Sequence, residues 1–383
     1  MGPRKKVILH INPSDYCGRH LLRGVAIYQR EQPLWNITLV HEGPLPEQYF
    51  SSEPPDGVIS RFPMGAEMQT LIKQGVHVIG VDYYDENSEI PFLGTNQHAV
   101  GVMAANHLTE KGLVNFGFFG YAETDWSKKR LHGFRLFHEQ FGRNVGVLEV
   151  PWRNPNESTT EDNQESISRW IHELPKPVGI MAANDFLALQ LIQACSNMGT
   201  LVPGKVAVVG VDNEEHLCIL SSPTLSSICQ DMVKIGYEAA MVLEQLMDGK
   251  KHDRTRHLFP PSHVVMREST DLLIIKDPLL DEIVQYICQN ALTGCRVMDV
   301  AEKFGVSRAI LETRFRKELK KSPNDFIREY QVKHVKKLLT ETDLKLDRIA
   351  HLTGFTHPEY MSVLFKRVVG ITPGAYREAN TLT

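Results

Sequence analysis

Charged and amide side chains follow the apolar runs of the first two thirds of the chain. One run ends in Asp82, a second in Asn184-Asp185 and a third in Asp212. A carboxylate accepts hydrogen bonds from two neighbouring hydroxyls, an amide donates and accepts, and a guanidinium donates as a fork. Such groups, brought together, bind a polyhydroxy compound. The candidate ligand-binding residues of this kind are Asp15, Tyr16, Arg19, Asp82, Arg130, Asn184, Asp185 and Asp212.

Aromatic side chains complete a site for a sugar ring, because they stack on its C–H faces. The aromatic candidates near the polar positions are Tyr16, Tyr83, Trp126 and Phe186.

Several of these residues also have a plainer interpretation. An Asp at a strand–helix junction often caps the helix, which would account for Asp82, Asp185 and Asp212. Arg130 would suit a solvated helix face equally well, and the aromatic candidates would suit the core or the rim of a domain.

Patterns that indicate catalysis or a bound cofactor are missing from the sequence. The six cysteines have no CxxC or His/Cys ligand spacing, and the sixteen histidines are scattered. There is no glycine-rich phosphate loop and no nucleophile–base pair. We therefore predict no catalytic residue, no metal site and no cofactor. A carboxylate pair alone can perform acid–base chemistry, so a sugar-processing α/β enzyme fused to a second module stays an alternative.

The candidate residues lie in a segment, from Lys5 to about Arg267, that alternates strands with helices. Its strands are short apolar runs without alternation, which is typical of parallel strands covered on both faces. Roughly ten βα steps are too many for one compact open sheet, so we predict an α/β fold of two doubly wound lobes. The last predicted strand is His257–Val265. Ligands of such sheets bind beyond the carboxyl ends of the strands, where the polar candidates lie.

The C-terminal part of the chain contains the same short sequence pattern twice. Ala301 precedes Gly305 by four residues, and Ala350 precedes Gly354 by the same interval, 49 positions further on. A small Ala lets a second helix cross closely, and a Gly can take the left-handed conformation that ends a helix. The pattern predicts two helix-turn-helix motifs, each with a second helix that can enter a major groove of DNA.

The second helix of each motif divides into a buried stripe and a DNA-facing side. Helical spacing predicts Ile310, Leu311 and Phe315 as buried in the first copy. Early residues of a recognition helix meet base edges, and basic residues near its end meet phosphates or are simply solvated. The candidate DNA-binding residues are Ser307, Arg308, Ala309, Glu312, Thr313, Arg316, Lys317, His357, Pro358, Glu359, Ser362, Lys366 and Arg367.

Length and charge indicate two different roles for the two parts. The chain has 383 residues and a net charge of −4. From Leu279 onward Lys and Arg outnumber Asp and Glu by 17 to 13, whereas in the remainder they are outnumbered by 33 to 25. A basic part behind an acidic body is typical of a DNA-binding protein whose body does another job. The predicted domains are residues 1–268 and 279–383, joined by a linker over residues 269–278.

Neither a membrane span nor a signal-peptide core is visible in the sequence. The cysteine pattern suits reduced, mostly buried thiols. We therefore expect a cytoplasmic protein without a membrane partner.

The C-terminal part resembles the AraC-type transcription regulators. The residues that carry the resemblance are Gly354-Phe355 through Phe365-Lys366, followed by Gly370-Ile371-Thr372-Pro373-Gly374-Ala375-Tyr376-Arg377. The resemblance implies the same DNA-facing sides as the helical spacing does.

The body resembles the effector-binding domain of the LacI-type repressors, which has a periplasmic sugar-binding-protein fold. The matching stretches include Ala183–Leu189, Val209–Asn213 and Leu225–Gln230. This resemblance implies sugar contacts at Arg130, at Asn184 or Asp185, at Asp212 and at Gln230.

LacI-type proteins begin with a helix-turn-helix headpiece, whereas here a strand starts at Lys6 and the DNA module comes last. That fusion is similar to the xylose operon regulators. The resemblance implies a regulator that activates pentose catabolic genes when its sugar effector, D-xylose, binds. It also implies a homodimer on two DNA half-sites, with RNA polymerase as a further partner. A repressor that responds to another sugar, and a DNA-binding scaffold that has lost its ligand, stay as alternatives.

Overall fold

The structure is a computed structural model that describes residues 4–31, 35–41, 43–46, 53–62, 65–82, 90–152, 160–250, 256–272, 275 and 277–380. The chain divides into two compact units, Met1–Leu272 and Leu273–Thr383. The first unit holds two sheets packed with helices, and the second is helical, so the predicted fold class is confirmed. The predicted domain bounds stay a prediction. None of the described helices is both long and apolar enough to cross a membrane.

The first lobe is built on a six-stranded sheet in which all neighbouring strands are parallel. Its strands are β1 (Lys5–His10), β2 (Trp35–Val40), β3 (Gly57–Ser60), β4 (His77–Val81), β5 (Phe92–Thr95) and, late in the chain, β11 (Arg256–Phe259). They lie in the order β2-β1-β3-β4-β5-β11. The described helices of this lobe are α1 (Tyr16–Glu31), α2 (Ala66–Lys73) and α8 (Met232–Met247).

The inner strands of this lobe, β1, β3, β4 and β5, are largely buried because both faces of the sheet are covered there. Val7 and Leu9 pack in the cluster that contains the buried side chains of α1 and α8. Ile8, between them in sequence, packs with Met68 and Leu71 of α2 in a separate cluster. The period of two along a strand therefore places neighbouring residues in two cores.

The second lobe is built on another six-stranded sheet. Its strands are β6 (Asn115–Tyr121), β7 (Val145–Val150), β8 (Val178–Ala182), β9 (Val206–Val211), β10 (Ser226–Cys229) and β12 (His263–Val265). The order is β7-β6-β8-β9-β10-β12, and only the last pair is antiparallel. The described helices are α3 (Gln97–Glu110), α4 (Asp125–Glu139), α5 (Thr160–Glu173), α6 (Asp185–Asn197) and α7 (Glu215–Leu220).

The chain passes between the lobes at three places: at Asn96, at Gln230-Asp231 and at residues 260–262. The predicted single strand His257–Val265 is therefore wrong, because its two halves, β11 and β12, belong to different sheets. The crossing segments are tied together by their backbones. The Asn96 amide donates to the carbonyl of Phe259 over 2.7 Å, and the Ser262 amide donates to the carbonyl of Cys229 over 2.9 Å.

Helices α3 and α4 cross so closely that their backbones touch. A Cβ on Gly101 would lie 2.0 Å from the backbone oxygen of Arg130, so only glycine fits at the crossing. This contact fixes the part of α4 that carries Arg130 against α3.

The C-terminal unit consists of two helical clusters that share one long helix. Its helices are α9 (Pro278–Asn290), α10 (Val297–Lys303), α11 (Arg308–Leu319), α12 (Pro323–Glu341), α13 (Leu346–Leu352), α14 (Pro358–Val369) and α15 (Pro373–Asn380). Phe326 of α12 packs in the first cluster with Leu311 and Phe315, and Val335 of α12 packs in the second with Phe365. Helix α12 thus joins two small cores.

The predicted burial of Ile310 is wrong. Leu311 and Phe315 are fully buried as predicted, but Ile310 is 48% exposed. Ile310 and Leu311 are about 100° apart around the helix, so both cannot face one narrow core.

Candidate functional site

A cavity of about 200 Å³ lies between the carboxyl ends of the two sheets. In each sheet the strand order reverses at the first strand of the lobe, β1 or β6. Open α/β sheets bind ligands at such a reversal. The volume is below that of pockets for drug-sized ligands and suits a single sugar ring. The lining residues are Asp15, Tyr16, Cys17, Arg61, Asp82, Gln97, Trp126, Arg130, Trp152, Asn184, Asp212 and Gln230.

The wall from the first lobe is organised by Arg61, which follows β3 directly. Its Nε donates to Oδ2 of Asp82 over 2.8 Å, and its Nη1 donates to Oδ2 of Asp15. Burial lowers the pKa of Arg61 more than any single neighbour raises it, but Asp82, Asp15 and the other neighbouring groups together outweigh burial, so the pKa is raised and the guanidinium stays charged. Arg61 therefore holds two carboxylates in place at the cavity while leaving them acceptor positions for a ligand.

The wall from the second lobe is organised by Arg130, which is only 3% exposed. Its Nε donates to Oε1 of Gln97 over 2.7 Å, and its Nη1 donates to the carbonyl of Ala183. Its Nη2 lies 3.9 Å from Oδ1 of Asp212, and its guanidinium lies over the ring of Trp126 at 4.8 Å from the centroid. The alternative of a solvated Arg130 is therefore wrong.

Asp212 lies at the end of β9 in a conformation that is unusual for a residue with a side chain. Its φ is 107°, and Asp82 at the end of β4 has a φ of 67°. Burial raises the pKa of Asp212 to about 6, even though the neighbouring Arg130 lowers it. Gln230 donates a hydrogen bond to its Oδ1. Positive φ values at two carboxylate residues of one cavity are typical of functional sites, where strained backbone conformations cluster.

Two of the cavity-lining residues, Trp126 and Trp152, belong to an aromatic cluster that also includes Tyr121. Tyr121 is T-shaped to Trp152 at 4.7 Å between ring centroids, and Trp126 lies 6.0 Å from Trp152. The Arg130 guanidinium lies over the Trp126 ring, and Trp152 brings a second large apolar surface to the cavity, of the kind that packs against the C–H groups of a sugar ring.

Eight predicted ligand-binding residues line this cavity. They are Asp15, Tyr16, Asp82, Trp126, Arg130, Asn184, Asp212 and Gln230. Their contact with a ligand stays a prediction.

The structure does not bring Arg19 and Asp185 to the cavity. Arg19 instead pairs with Glu214 of the other lobe, with Nη2 2.7 Å from Oε2. Asp185 points into the second lobe, is 1% exposed, and accepts from the Glu214 amide over 2.8 Å and from the Ser227 hydroxyl. It holds the turn after β9 from inside.

One of the aromatic candidates, Phe186, also lies elsewhere. Phe186 is 53% exposed and does not line the cavity. Tyr83 lies outside the described residues.

The capping interpretation holds for a different residue. Asn184 caps α6, and its Oδ1 accepts from the Leu187 amide over 2.9 Å. Asp185 is the first residue of that helix, and Asp212 lies two residues before the N-cap of α7. Asn184 thus combines a helix cap with a place in the cavity wall.

Sequence reasoning missed four lining residues: Cys17, Arg61, Gln97 and Trp152. Arg61 and Trp152 follow β3 and β7 closely, so the strand-end rule would have found them. Gln97 follows a crossing segment, and Cys17 is buried in α1; neither position has a signal in the sequence.

The C-terminal unit contains the two predicted helix-turn-helix motifs, α10–α11 and α13–α14. Gly305 and Gly354 have φ values of 63° and 76°, so both turns use the left-handed conformation. Ala301 and Ala350 are both buried. Ser307 caps α11 by accepting from the Ile310 amide over 3.3 Å.

Most candidate DNA-binding side chains are exposed on the second helix of each motif. Arg308, the first residue of α11, donates from Nε to Oε1 of Glu312 over 3.1 Å. The exposed candidates are Ser307, Arg308, Ala309, Thr313, Arg316, Lys317, His357, Glu359, Lys366 and Arg367, and the half-buried ones are Glu312, Pro358 and Ser362.

Sequence reasoning overlooked exposed apolar residues on the same helices. Ile310, Tyr360 and Val363 are 48%, 47% and 68% exposed. Apolar side chains on a recognition helix can contact thymine methyl groups.

A polar cleft between two α/β lobes, followed in one chain by two helix-turn-helix motifs, defines a ligand-responsive DNA-binding regulator. Residues 105–270 match the periplasmic binding protein-like domain family, and residues 300–379 match a helix-turn-helix domain family. The first match lies within the first structural unit, and the second match lies within the second unit.

Full-length relatives identify the family. The chain is 31% identical over 392 residues to the xylose operon regulatory protein of Escherichia coli K12, covering 99% of this chain and 98% of that protein. The corresponding protein of Haemophilus influenzae Rd is 31% identical, with 97% and 98% covered. The solved structure of a xylose-binding transcription activator superposes with a TM-score of 0.82 at 28% identity over the whole of both chains. The chain belongs to the xylose operon regulatory protein family.

The chain is therefore a sugar-responsive transcription regulator and not an enzyme. The alternative of a sugar-processing enzyme is wrong.

Proposed function

We propose that the protein is a transcription activator whose effector is a pentose, D-xylose, bound between the two lobes. The observation that carries the proposal is the lining of the cavity: two arginines, three aspartates and two tryptophans around about 200 Å³. The hydroxyls of a pentose donate to the carboxylates and accept from the guanidinium groups. Relatives with full-length similarity regulate the xylose operon, and one is xylose-binding, which makes D-xylose the first candidate.

The sugar acts by favouring the arrangement in which the two lobes face each other closely. Asp15, Arg61 and Asp82 belong to one lobe, and Arg130, Asn184 and Asp212 belong to the other, so only the closed arrangement gives a sugar both walls. The Arg19–Glu214 ion pair joins the lobes as well. The sugar shifts the equilibrium only by the difference between its affinities for the two arrangements.

The segment that leaves the sensor unit is attached to the sugar-binding turn. Arg267 donates from Nη2 to Oδ1 of Asn213 over 2.9 Å, and Asn213 directly follows Asp212. Beyond Arg267, the Ser269 hydroxyl donates to the carbonyl of Val208 over 2.6 Å. A change at Asp212 is thereby communicated to the residues that lead into the DNA-binding unit.

The DNA-binding unit delivers the output. A homodimer that places two such units on two half-sites, with Arg19–Gln29 of α1 at the dimer surface, would change its engagement of DNA when the lobes close. Activation then requires a contact with RNA polymerase, and the setting is the cytoplasm.

A melting experiment with a panel of sugars tests the proposal. Purified full-length protein is melted with D-xylose, L-arabinose, D-ribose and D-glucose, and a sugar at 100 times its Kd adds about 2.7 kcal/mol of stability. D-xylose should raise the melting temperature of the wild type and of Arg169→Ala, a surface change in the second lobe, but not of Asp212→Asn. The same melting temperature with every sugar rejects the effector proposal. A D-xylose effect on melting with an unchanged DNA footprint rejects the switch alone.

A further inference from the structure

A buried amide lies where the two helical clusters of the C-terminal unit meet. Gln331, on α12, is 7% exposed. Its Nε2 donates to the carbonyl of Ala291 over 3.0 Å and to the carbonyl of Gly354 at a longer 3.4 Å. Ala291 follows α9 in the first cluster, and Gly354 forms the turn of the second motif. One side chain therefore serves a backbone oxygen on each side of the junction.

The turn of the second motif also touches the first cluster through its backbone. A Cβ on Gly354 would lie 2.6 Å from the carbonyl oxygen of Ala291 and 3.0 Å from both the Gly294 amide nitrogen and Gln331 Nε2. Gly305, at the same place in the first motif and with a similar φ, would have nothing within 4 Å of such a Cβ. Both turn glycines therefore adopt the left-handed conformation, but of the two only Gly354 also packs against the first cluster.

We propose that the Gln331–Ala291–Gly354 junction sets the spacing between the two DNA segments that one chain can read. Gln331 and Gly354 act as positioning residues, because they fix α14 relative to α11 and leave base contacts to other side chains. The inference rests on the DNA-binding role of this unit.

Helix α12 alone is not a sufficient spacer. Successive major-groove segments on one face of DNA lie about 34 Å apart, so a small rotation at the junction moves a recognition helix out of its groove. A buried carbonyl left without a donor is costly, so the amide favours one placement of the two motifs over its neighbours.

Two variants and one matched control test the junction. Gly354→Ala and Gly305→Ala carry the same left-handed strain, but only Gly354→Ala forces atoms into the junction. Gln331→Met keeps a similar side-chain volume and removes the donor. The probe is a duplex selected by the wild-type protein from a random library, together with versions that have one base pair added or removed between the two contacted segments and versions that keep one segment only.

The expected result is a loss of spacing discrimination in Gly354→Ala and Gln331→Met. Their affinity for the selected duplex falls about tenfold, while binding to a single segment stays within about twofold of the wild type. Gly305→Ala keeps the wild-type ratio between correctly and incorrectly spaced duplexes. Circular dichroism melting establishes that each variant is folded at the assay temperature, and Gln331→Met decides the question if Gly354→Ala is not. A wild-type spacing ratio in folded Gln331→Met, or an equal change in Gly305→Ala, overturns the proposal.

Discussion

Arg267 donates a hydrogen bond to the side-chain oxygen of Asn213 over 2.9 Å and a second to the carbonyl of Leu225, also over 2.9 Å. Its own backbone is held by Ser226, whose hydroxyl accepts from the Arg267 amide over 2.8 Å. The turn that carries Asp212 and the exit of the sensor unit therefore share one guanidinium. In the switch proposed above, Arg267 therefore connects the turn that carries Asp212 to the end of the sensor unit.

Replacing Arg267 should uncouple the two activities. Arg267→Met leaves the lining of the cavity intact, so we expect the Kd for D-xylose to change by less than about threefold, which corresponds to about 0.65 kcal/mol. The ratio between DNA affinity with and without sugar should fall towards one, because the turn no longer moves the exit. Calorimetry measures the first quantity and DNA titration with and without D-xylose measures the second.

The matched control for Arg267 is Arg169→Ala in the same lobe. Arg169 pairs with Glu165 on the surface of α5, and both side chains are largely exposed. It should leave both quantities unchanged. Full sugar dependence of DNA binding in folded Arg267→Met would contradict the proposed connection.

Arg61 should be the most costly residue of the cavity to remove. The side chains of Arg61 and Asp82 are 10% and 13% exposed, so Arg61→Met leaves a nearly buried carboxylate without its partner. Removing one member of a buried ion pair typically costs about 3–5 kcal/mol. Chemical denaturation of the sensor unit within the full-length protein should show a loss of this size together with loss of sugar binding.

The double variant Arg61→Met/Asp82→Asn separates pairing from packing. It should recover part of the lost stability, because the isolated charge is gone, yet it should not recover sugar binding. A cost below about 1 kcal/mol for Arg61→Met, as for an exposed pair, would show that Asp82 is solvated instead.

Much of the cavity could be predicted from the sequence because the carboxyl ends of parallel strands converge at one edge. Asp82, Asn184 and Asp212 were found in this way. The limits of the rule are set by three-dimensional crossings. Gln97 begins α3 immediately after the crossing at Asn96, which exists because β5 and β6 belong to different sheets, and no local sequence pattern shows this.

The sequence does not distinguish the environments of two adjacent residues at the start of α6. Asn184 faces the cavity and Asp185 faces the interior, where its donors Ser227 and Cys218 come from positions 42 and 33 residues away. No local pattern contains those partners. The sequence of β10 does not indicate a buried strand, for a related reason. Its serines are polar, yet they are buried, and Ser226 accepts a hydrogen bond from Thr270 in the segment that leaves the sensor unit.

Sugar affinity should depend on pH through Asp212. Its pKa is raised to about 6 by burial, and the ionised carboxylate is the form that accepts from sugar hydroxyls. The affinity for the sugar is therefore highest above pH 7 and falls as the pH drops through 6, by about tenfold at pH 5. Calorimetric titration between pH 5 and 7.5 measures the profile.

Asp212→Asn is the control for this profile. The amide cannot ionise, so binding should be weak and flat across the same range. The described residues that line the cavity include no histidine, so a wild-type profile that persists in Asp212→Asn would place the titrating group elsewhere.

Lys366 should contribute affinity without sequence information. It is exposed near the end of α14, where basic side chains meet phosphates. Lys366→Ala should weaken binding to specific and random DNA alike and reduce the slope of log K against log salt by about 0.9. Lys321→Ala, whose ammonium is paired with Glu329, should leave the slope unchanged. An altered sequence preference in a footprint of Lys366→Ala would sink the assignment.

Arg308 should carry base discrimination. Its side chain is 65% exposed at the first position of α11, and its pairing with Glu312 holds the guanidinium on the exposed side of the helix. Arg308→Ala should relax the preference at one base pair by about 1–3 kcal/mol, because a bidentate contact with guanine is lost. A binding-site selection with the variant measures the change, and unchanged discrimination would count against the role. The control lies in the same helix. Arg314 is bound to Asp277 at the start of α9, so Arg314→Ala should lower the stability of the unit and leave the selected sequence the same.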